Sequence, residues 1–374
     1  MIKRLGDICT FVGGGTPSKK NPDFYNGCIP WATVRDMNVR VIKTTEHSIT
    51  PDAVQQSATN IIPTGEVVIS THVGLGKVCF LGQDTAINQD LKAVIPNGEL
   101  SRRYLYYWFI SKADELIANG KGATVKGVTL DFVKNLKIQV LPEREQEVVS
   151  DTLDKINHII ELADLQVARL DQLVKSRFVE MFGDLPNSKT LADVCLIITD
   201  GTHQSPKFVE KGIPFLFVSN IVTNRLTYDA EKFIDEATYS ELIKRTPIEP
   251  GDILLSTVGS YGHPAIVQSD KRFLFQRHIA YLKPSKAVVD SVFLHGVILS
   301  SNVQEQIERR VKGIAQKTLN LSEIKTIAVP LPPLALQREF AAFVAKVDKL
   351  AFAARQRRDV AKQLYRAKIQ EFFG

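Results

Sequence analysis

The sequence has few of the residues that build disulfide frameworks or zinc sites, and no run long enough to cross a membrane. Only four of its 374 residues are cysteine, and Cys9, Cys28, Cys79 and Cys195 form no CxxC pair. No histidine stands at metal-ligand spacing from them, so we expect neither disulfides nor zinc and interpret them as small core residues. No window approaches the roughly 18 to 20 consecutive apolar residues of a membrane span. The opening MIKRLGDICTFVGG lacks the apolar core of a secretory signal, so we expect a cytoplasmic protein.

The motifs of several enzyme classes are absent or incomplete. No GxxxxGK[ST] phosphate loop occurs, because GGGTPSKK and GLGKV have the wrong spacing. The NPDF run resembles the NPPF-type motif of adenine methyltransferases, but Asp23 replaces the second proline and no FxGxG cofactor loop accompanies it. Glu323 and Lys325 spell half of a metal-nuclease motif without a partner acid nearby, and a solvated helix start explains them better. No Ser, His and Asp set indicates a hydrolase, so we expect no catalytic residue and no metal site in this chain.

Charge and length narrow the class of protein further. Lysine and arginine number 47 against 41 aspartate and glutamate, a formal net charge of +6. This excess suits a polyanionic partner, although many basic proteins bind no nucleic acid and the inference needs independent support. With 44% hydrophobic and 24% charged residues, the chain is expected to fold, and its length allows two domains with separate cores.

An internal repeat spans nearly the whole chain. Six pairs of segments recur in the same order: LGDIC (5–9) with LADVC (191–195), IPWATVRDM (from 29) with IPFLFVSNI (from 213), IPTGEVVIST (from 62) with IEPGDILLST (from 248), INQDLKAVIP (from 87) with FQRHIAYLKP (from 275), GATVKGVTLDFVKNLKIQVLPEREQ (from 122) with GIAQKTLNLSEIKTIAVPLPPLALQ (from 313), and FVEMFG (178–183) with IQEFFG (369–374). A repeat of this length indicates a duplicated structural unit. Each copy begins with short β-rich runs and closes with a long helical pattern, so we predict two similar α+β globular domains and two long helices.

Prolines place the starts of the two long helices, because proline is tolerated in a first helical turn. Pro142 precedes one helix, and Pro332 and Pro333 precede the other. The predicted division is a first globular domain at 1–141, a first long helix at 142–182, a linker at 183–190, a second globular domain at 191–331 and a second long helix at 332–374.

Each long helix has apolar residues at the seven-residue period of a coiled-coil seam. The seam of the first helix comprises Val149, Leu153, Ile156, Ile160, Ala163, Val167, Leu170 and Val174. Small residues and one arginine interrupt the seam of the second, which comprises Phe340, Val344, Val347, Ala351, Ala354, Arg358, Ala361 and Tyr365.

The long helices also carry opposite net charge. Residues 143–183 include nine acidic and five basic residues, whereas residues 334–374 include four acidic and nine basic. These patterns favour an antiparallel pair, in which alanines of one helix accept larger side chains of the other. A rod of about 40 residues at ~1.5 Å each would be roughly 60 Å long. Taken without the repeat, each helix could instead cover its own domain or form a homodimer.

Several segments together identify a family. They are GGGTPSKKNPDFYNGCIPWATVRDM, DGTHQSP followed by GIPFLFVSNI, the glycine-bearing pairs STHVGLGKVCF and STVGSYGHPAIV, and the helix starts LPEREQ and LPPLALQ. On these segments the chain resembles, over essentially its whole length, the DNA specificity subunit of type I restriction-modification systems. The resemblance implies two target-recognition domains that each read one half of a split sequence in double-stranded DNA. The two helices would fix the length of the unread spacer.

The resemblance also implies that catalysis belongs to other chains. Two methyltransferase subunits would carry S-adenosylmethionine and methylate adenine N6, and restriction subunits would carry the nuclease and the translocase that uses ATP and Mg. No cofactor is expected in this chain. Because the loops of the two copies differ strongly, we expect unlike half-sites and an asymmetric target.

Polar side chains on loops of both copies are candidates for DNA contact. Base edges are read chiefly by Arg, Lys, Asn, Gln, Ser, Thr and His, whereas phosphate contacts supply affinity. In the first copy the predicted residues are Thr16, Ser18, Lys19, Lys20, Arg35, Thr71, His72, Lys77, Asn88 and Gln89. In the second they are Thr202, His203, Gln204, Ser219, Asn220, Thr257, Tyr261, His263, Gln276, Arg277 and His278. Gly74, Gly76, Gly259 and Gly262 would let the backbone turn close to the duplex. Each residue also has a structural alternative, since Asn88 or His278 could satisfy buried backbone groups.

Two other functions stay open on the sequence. A scaffold or adaptor could gather proteins on its coiled coil and bind peptides with its globules, and its DNA binding would be absent or insensitive to salt. A self-sufficient methyltransferase or nuclease would transfer methyl groups or cut DNA as an isolated chain.

Overall fold

The protein folds into two compact units that both include parts of the long helices. The computed structural model describes residues 1–122, 126–313 and 317–374; parts of the matched segments that begin at Gly122 and Gly313, residues 123–125 and 314–316, lie outside the described residues. Unit 1 comprises Met1–Asp164 and Gln356–Gly374, and unit 2 comprises Leu165–Arg355. Each long helix therefore begins in one unit and ends in the other, unlike the sequential division predicted from the repeat.

Unit 1 is an α+β globule built on two main sheets. Its strands are β1 (Ile2–Arg4), β2 (Cys9–Gly13), β3 (Ile29–Ala32), β4 (Val41–Ile42), β5 (His47–Ile49), β6 (Asn60–Ile62), β7 (Val67–Ser70), β8 (Val78–Leu81), β9 (Thr85–Ile87), β10 (Leu91–Pro96) and β11 (Lys137–Gln139). Its helices are α1 (Leu5–Ile8), α2 (Pro51–Gln55), α3 (Arg102–Ser111), α4 (Ala113–Ala118), α5 (Leu130–Asn135) and the first part of α6 (Glu143–Phe182), with 3₁₀ turns at Pro22–Tyr25 and Val34–Asp36. The sheets have the orders β2-β10-β7-β8-β4 and β5-β3-β9-β6, and β1 pairs with β11.

Unit 2 repeats this plan with fewer strands. Its strands are β12 (Lys189–Thr190), β13 (Cys195–Asp200), β14 (Ile213–Leu216), β15 (Lys232–Ile234), β16 (Ile253–Ser256), β17 (Pro264–Ile266), β18 (Leu274–Phe275), β19 (Ile279–Pro284) and β20 (Ala328–Val329). Its helices are α7 (Leu191–Val194), α8 (Glu236–Leu242), α9 (Ser291–Leu299), α10 (Ser301–Arg310), α11 (Leu321–Lys325) and the first part of α12 (Leu334–Phe373), with 3₁₀ turns at Val218–Asn220 and Ile243–Arg245. The orders are β13-β19-β16-β17 and β15-β14-β18, and β12 pairs with β20. The predicted duplicated α+β architecture is confirmed.

Central strands explain why the apolar runs of the sequence form sheets. Every residue of β7 and of β16 is buried, as expected for strands covered on both faces. The two strands hold equivalent positions, each between an antiparallel hairpin partner and a longer antiparallel strand.

The long helices pack against each other within each unit, and both run for 40 residues. In unit 1, Asp164 of α6 pairs with Arg358 of α12 at 3.2 Å. In unit 2, Arg177 pairs with Glu339 at 3.2 Å. From residue 164 to residue 177 of α6, the paired residue of α12 moves back from 358 to 339. The two helices therefore run antiparallel. All sixteen predicted seam positions are buried or partly buried, which confirms the seven-residue pattern.

A buried glutamine near the start of each long helix fastens that helix to its unit. The Oε1 of Gln146 accepts from the Ser101 N–H at 2.8 Å, and its Nε2 donates to two backbone carbonyls at 2.9 and 2.8 Å. The Oε1 of Gln337 accepts from the Asp290 N–H at 2.8 Å, and its Nε2 donates to the Pro332 carbonyl at 2.8 Å. Both helix starts thus have the same polar anchor at equivalent positions.

The cysteines only partly match the expectation of core residues. Cys9 and Cys79 are buried and Cys195 is partly buried, but Cys28 is exposed. Burial raises the pKa of the Cys9, Cys79 and Cys195 thiols to about 12. The core interpretation is therefore wrong for Cys28, which lies between a 3₁₀ turn and β3.

Candidate nucleic-acid interface

Four loops of unit 1, which follow β2, β3, β7 and β9, lie together at one edge of its sheets. They contain all ten predicted residues of the first copy. The Gly15 N–H donates to the Ile87 carbonyl at 3.0 Å, and the Asn88 N–H donates to the Ala32 carbonyl at 3.0 Å. The Thr71 N–H donates to the carbonyl of Asp90 at 2.9 Å. These bonds join residues 14–20, 33–38, 71–77 and 88–90, which we call loop cluster 1.

Unit 2 contains the same arrangement with the same backbone bonds. The Thr202 N–H donates to the Phe275 carbonyl at 3.0 Å, and the Gln276 N–H donates to the Leu216 carbonyl at 3.1 Å. The Thr257 N–H donates to the His278 carbonyl at 2.9 Å. Residues 201–206, 217–220, 257–263 and 276–278 form this loop cluster 2, which contains all eleven predicted residues of the second copy.

Glycine permits the closest backbone crossing in each cluster. A Cβ atom at Gly14 would lie 2.1 Å from the Ile87 carbonyl oxygen, and one at Gly201 would lie 2.3 Å from the Phe275 carbonyl oxygen. Any side chain would push these backbones apart, so the crossing needs glycine at both positions. The four glycines predicted to form turns, Gly74, Gly76, Gly259 and Gly262, all have positive φ.

Four predicted residues are buried and hold the loops from within. Thr71, Asn88, Asn220 and Thr257 are at most 6% exposed. The Oδ1 of Asn220 accepts from the Phe217 N–H at 2.9 Å, and its Nδ2 donates to the Asp229 carbonyl at 3.0 Å. Asn88 bonds to the backbone and side chain of Asp90, both at 3.2 Å. Buried amides with satisfied partners give a loop one conformation, so these residues position their neighbours.

Several other predicted residues of loop cluster 1 have partners: the Ser18 hydroxyl accepts from the Lys20 N–H at 3.4 Å, and the Nδ1 of His72 lies 3.2 Å from the Thr71 hydroxyl. Ser18, Lys19, Lys20 and His72 are exposed, and Thr16 donates through its hydroxyl to the Oε1 of Gln89. Arg35 lies 3.5 Å from the carboxylate of Glu46. The ammonium group of Lys77 donates to the side chain of Asn38 at 2.7 Å.

Residues of loop cluster 2 contact charged side chains of neighbouring segments. The Nε2 of His203 lies 2.9 Å from the carboxylate of Asp200, which also pairs with Arg245. Tyr261 donates to Glu308 and accepts from Lys317. The Nδ1 of His263 lies 3.0 Å from the Oδ1 of Asn224. Gln204 and Ser219 are exposed, as is Arg277, and Thr202 and Gln276 form an isolated parallel bridge.

A small cleft of about 250 Å³ opens at loop cluster 2. Asp200, Thr257, Arg277 and His278 line it together with residues 318–321. Burial and the neighbouring Arg277 guanidinium lower the pKa of His278. Its ring is therefore neutral at pH 7, which allows its Nε2 to accept from the Nε of Arg277 at 3.4 Å.

Sequence reasoning missed several residues beside these loops. Arg245 lies in a 3₁₀ turn, and Lys317 lies in the matched segment that begins at Gly313; both are far along the chain from the loop residues that they approach. Lys92 is the second residue of β10, just after the Asn88–Asp90 turn, and its ammonium donates to the Gln89 carbonyl at 3.0 Å. Burial lowers the pKa of Lys92. Its closeness in sequence to Gln89 was the one available signal.

The described part of the chain offers little for other kinds of site. Among residues 1–122, 126–313 and 317–374, no group of three or more His, Cys, Asp or Glu side chains could hold a metal ion. No helix within those ranges is both long and apolar enough to cross a membrane.

Comparisons with known proteins agree on one family. The sequence model of one protein family, described as type I restriction modification DNA specificity domain, matches residues 1–170 and 187–362. The type I restriction enzyme MjaIX specificity subunit of Methanocaldococcus jannaschii is 24% identical over 375 residues, covering 92% of this chain and 85% of the relative. The EcoR124I/EcoR124II specificity subunit of Escherichia coli is 33% identical over 162 residues, covering 41% of this chain and 40% of the relative.

Two solved structures share the fold over the whole chain. The S subunit of a type I restriction-modification system from M. genitalium aligns with a TM-score of 0.60 at 14% identity, covering 100% of this chain and 96% of that one. A chain from a structural study of complex assembly in the type I R-M system aligns with a TM-score of 0.57 at 18% identity, covering 100% and 97%.

Proposed function

The chain belongs to the type I restriction modification DNA specificity domain family, whose role is sequence recognition and not catalysis, and we propose that each loop cluster reads one half of a bipartite target in double-stranded DNA. The duplicated loop cluster is the observation that carries this proposal. Equivalent backbone bonds fix loops 14–20 and 201–206, 71–77 and 257–263, and 88–90 and 276–278. Loops held on a rigid scaffold are suited to present side chains to base edges.

The target is asymmetric, because the two clusters present different side chains. At matching loops the exposed side chains differ: loop cluster 1 exposes Lys19 and Lys20 in residues 14–20 and Gln89 in residues 88–90, whereas loop cluster 2 exposes His203 and Gln204 in residues 201–206 and Arg277 in residues 276–278. Donor and acceptor patterns that differ this much match different base pairs in the major groove. The two halves of the DNA target therefore differ in sequence.

The chemistry belongs to partner chains. Two methyltransferase subunits would bind S-adenosylmethionine and methylate adenine N6, and restriction subunits would use ATP and Mg; this chain would bind none of these cofactors. Exposed apolar residues on the long helices support partner docking, since burying apolar side chains in an interface is favourable. They are Val148, Ile159, Leu162, Leu165, Leu173 and Val179 on α6 and Leu350, Phe352, Val360 and Leu364 on α12. The assembly would act in the cytoplasm, where the cell's DNA is accessible to it.

Mapping modified adenines tests the proposal directly. The chain is co-expressed with its methyltransferase partner, and methylated adenines are sequenced with and without this chain. We expect one bipartite motif that depends on the chain and affinity for that motif that falls steeply with salt. Methylation without the chain, or salt-insensitive binding, would favour the adaptor function instead.

A loop exchange tests the assignment of one half-site to each unit. Residues 202–206 are replaced by the matching loop of a relative. We expect one half of the methylated motif to change while the other half stays the same. A change in both halves would contradict the assignment.

A further inference from the structure

Two turns at equivalent positions differ in the side chain at their tips. Gln89 is the exposed tip of the turn between β9 and β10, and Arg277 is the exposed tip of the turn between β18 and β19. The carbonyl of the residue after each tip accepts a hydrogen bond of 2.9 Å from the N–H of the threonine that follows the central strand, Thr71 after β7 and Thr257 after β16. The two loop clusters thus hold an amide and a guanidinium at the same place on the same scaffold.

The guanidinium of Arg277 is oriented but not neutralised. Its Nε donates to the neutral ring of His278 at 3.4 Å, which leaves both terminal NH₂ groups as donors. The nearby carboxylate of Asp200 is already shared by His203 and Arg245. Within the described ranges of the chain, no carboxylate forms an ion pair with Arg277. An arginine held this way keeps its two-pronged donor face for a ligand.

The amide of Gln89 is held at both of its ends. Its Oε1 accepts from the Thr16 hydroxyl, and its Nε2 donates to the Asp90 carboxylate at 3.3 Å. A primary amide has two acceptor lone pairs and two donor hydrogens, so one of each stays available. Gln89 can therefore offer one acceptor and one donor side by side without a loss of side-chain freedom on binding.

We propose that Arg277 reads a guanine in one half-site and that Gln89 reads an adenine in the other, which rests on the proposed function of the two loop clusters. A guanine presents two acceptors, O6 and N7, to the major groove and suits the paired donors of arginine. An adenine presents N7 as acceptor and the N6 amino group as donor, which suits the acceptor and donor of glutamine. The two duplicated tips would thus account for one base pair of difference between the half-sites.

Reciprocal substitutions test the two assignments. Arg277→Gln and Gln89→Arg are each made in the full chain, co-expressed with the methyltransferase partner, and the methylated adenines are sequenced. For Arg277→Gln we expect one guanine position to relax or to accept adenine, with roughly 5- to 150-fold lower discrimination on oligonucleotide duplexes. For Gln89→Arg we expect the same at one adenine position in the opposite half. Arg277→Lys keeps the charge without the fork and should give an intermediate loss.

Arg272→Gln is the matched control, because it removes the same charge from a guanidinium that pairs with Glu236 at 2.6 Å; its motif should be unchanged. An unchanged motif in both test variants would overturn the proposal. So would a uniform loss of affinity for all sequences with a salt slope lower by about one, which marks a phosphate contact. A wild-type chain that directs no bipartite methylation would refute the proposed function itself, whereas relaxation at other bases would refute only these two assignments.

Discussion

Neighbouring polar residues of one loop have opposite roles in this protein. Asn220 is 5% exposed and bonds to the backbone of its own loop, whereas the preceding Ser219 is exposed. The equivalent pair in unit 1 shows the same division, since Asp36 accepts from the Thr33 N–H at 2.7 Å and Arg35 points to solvent. Residue type alone cannot separate the two roles, because amides and hydroxyls suit both.

Removing the buried amide of that pair should destabilise unit 2 far more than removing the exposed hydroxyl. Asn220→Ala leaves the Phe217 N–H and the Asp229 carbonyl without their partner, which should lower the free energy of unfolding by about 2 to 3 kcal/mol. Ser219→Ala should change it by less than about 0.5 kcal/mol. Urea denaturation of the two variants measures both values. Equal effects would show that Asn220 does not hold the loop.

A partly buried histidine, His295 of α9, should make unit 2 sensitive to acid. Burial lowers the pKa of His295 below its ordinary 6.5, against the raising effect of its bonds to the Asn224 and Pro264 carbonyls. As the pH drops below 6.5, His295 takes up a proton in the unfolded chain but stays neutral in the folded chain. The free energy of unfolding is therefore highest above pH 6.5 and falls between pH 6.5 and the lower pKa of the folded state.

Thermal denaturation between pH 8 and pH 5 measures this effect. His295→Gln keeps a donor for the two carbonyls, at 3.1 and 3.2 Å, but cannot titrate, so its stability should fall less steeply below pH 6.5. Comparison at pH 8 controls for the packing change itself. An equally steep fall in the variant would assign the acid sensitivity to other groups.

The predicted contact residues lie together in each unit, but the sequence did not separate those that hold the loops from those that are exposed. Every predicted residue falls in one of the two loop clusters, because these loops follow neighbouring strands of one unit and so lie at the same edge of its sheets. The sequence did not reveal that Asn88 and Asn220 are buried or that Asp200 sits between His203 and Arg245. Burial and ion pairing depend on contacts between residues far apart in the chain, and periodicity carries no information about them.

At the scale of elements, the long helices were predictable because their pattern is local. Seven-residue spacing needs only the helix itself, and Arg358, which interrupts the apolar seam, pairs with Asp164 at 3.2 Å. The glutamine anchors were missed, although Gln146 and Gln337 occupy matching places in LPEREQ and LPPLALQ. A polar residue repeated at the start of both helices was the available signal.

Loss of the glutamine anchor should loosen the start of a long helix. Gln337→Leu removes the partner of the Asp290 N–H and of the Pro332 carbonyl in a fully buried place, which should cost about 2 to 3 kcal/mol. Gln363→Leu, at an exposed position of the same helix, should cost less than about 0.5 kcal/mol. Hydrogen exchange at the first turns of α12 should rise in the first variant only. Protection retained there would mean that apolar packing alone fixes the helix start.

At the scale of the whole molecule, the repeat was the decisive signal, since two copies of domain and helix in one chain predict two similar domains and two long helices. The sequence did not show that each compact unit takes the end of the helix that follows the other domain. Phe182 at the end of α6 packs on Phe293 of unit 2 with ring centroids 4.8 Å apart, and Phe373 at the end of α12 packs on Tyr104 of unit 1 at 5.1 Å. The matched segments FVEMFG and IQEFFG are these helix ends.

Shortening both long helices by one heptad should shorten the unread spacer of the target. Residues 165–171 and 349–355 are deleted together, because whole heptads keep the seam in phase on both helices. Seven residues at ~1.5 Å remove about 10 Å, or roughly three base pairs at ~3.4 Å each. Sequencing of methylated adenines should therefore return the same two half-sites with about three fewer base pairs between them. Deleting residues 165–171 alone is the control, since the two helices would then differ in length by seven residues and could not keep all their pairings, which should weaken folding instead. An unchanged spacer in the folded double deletion would mean that the helices do not set the distance between the half-sites.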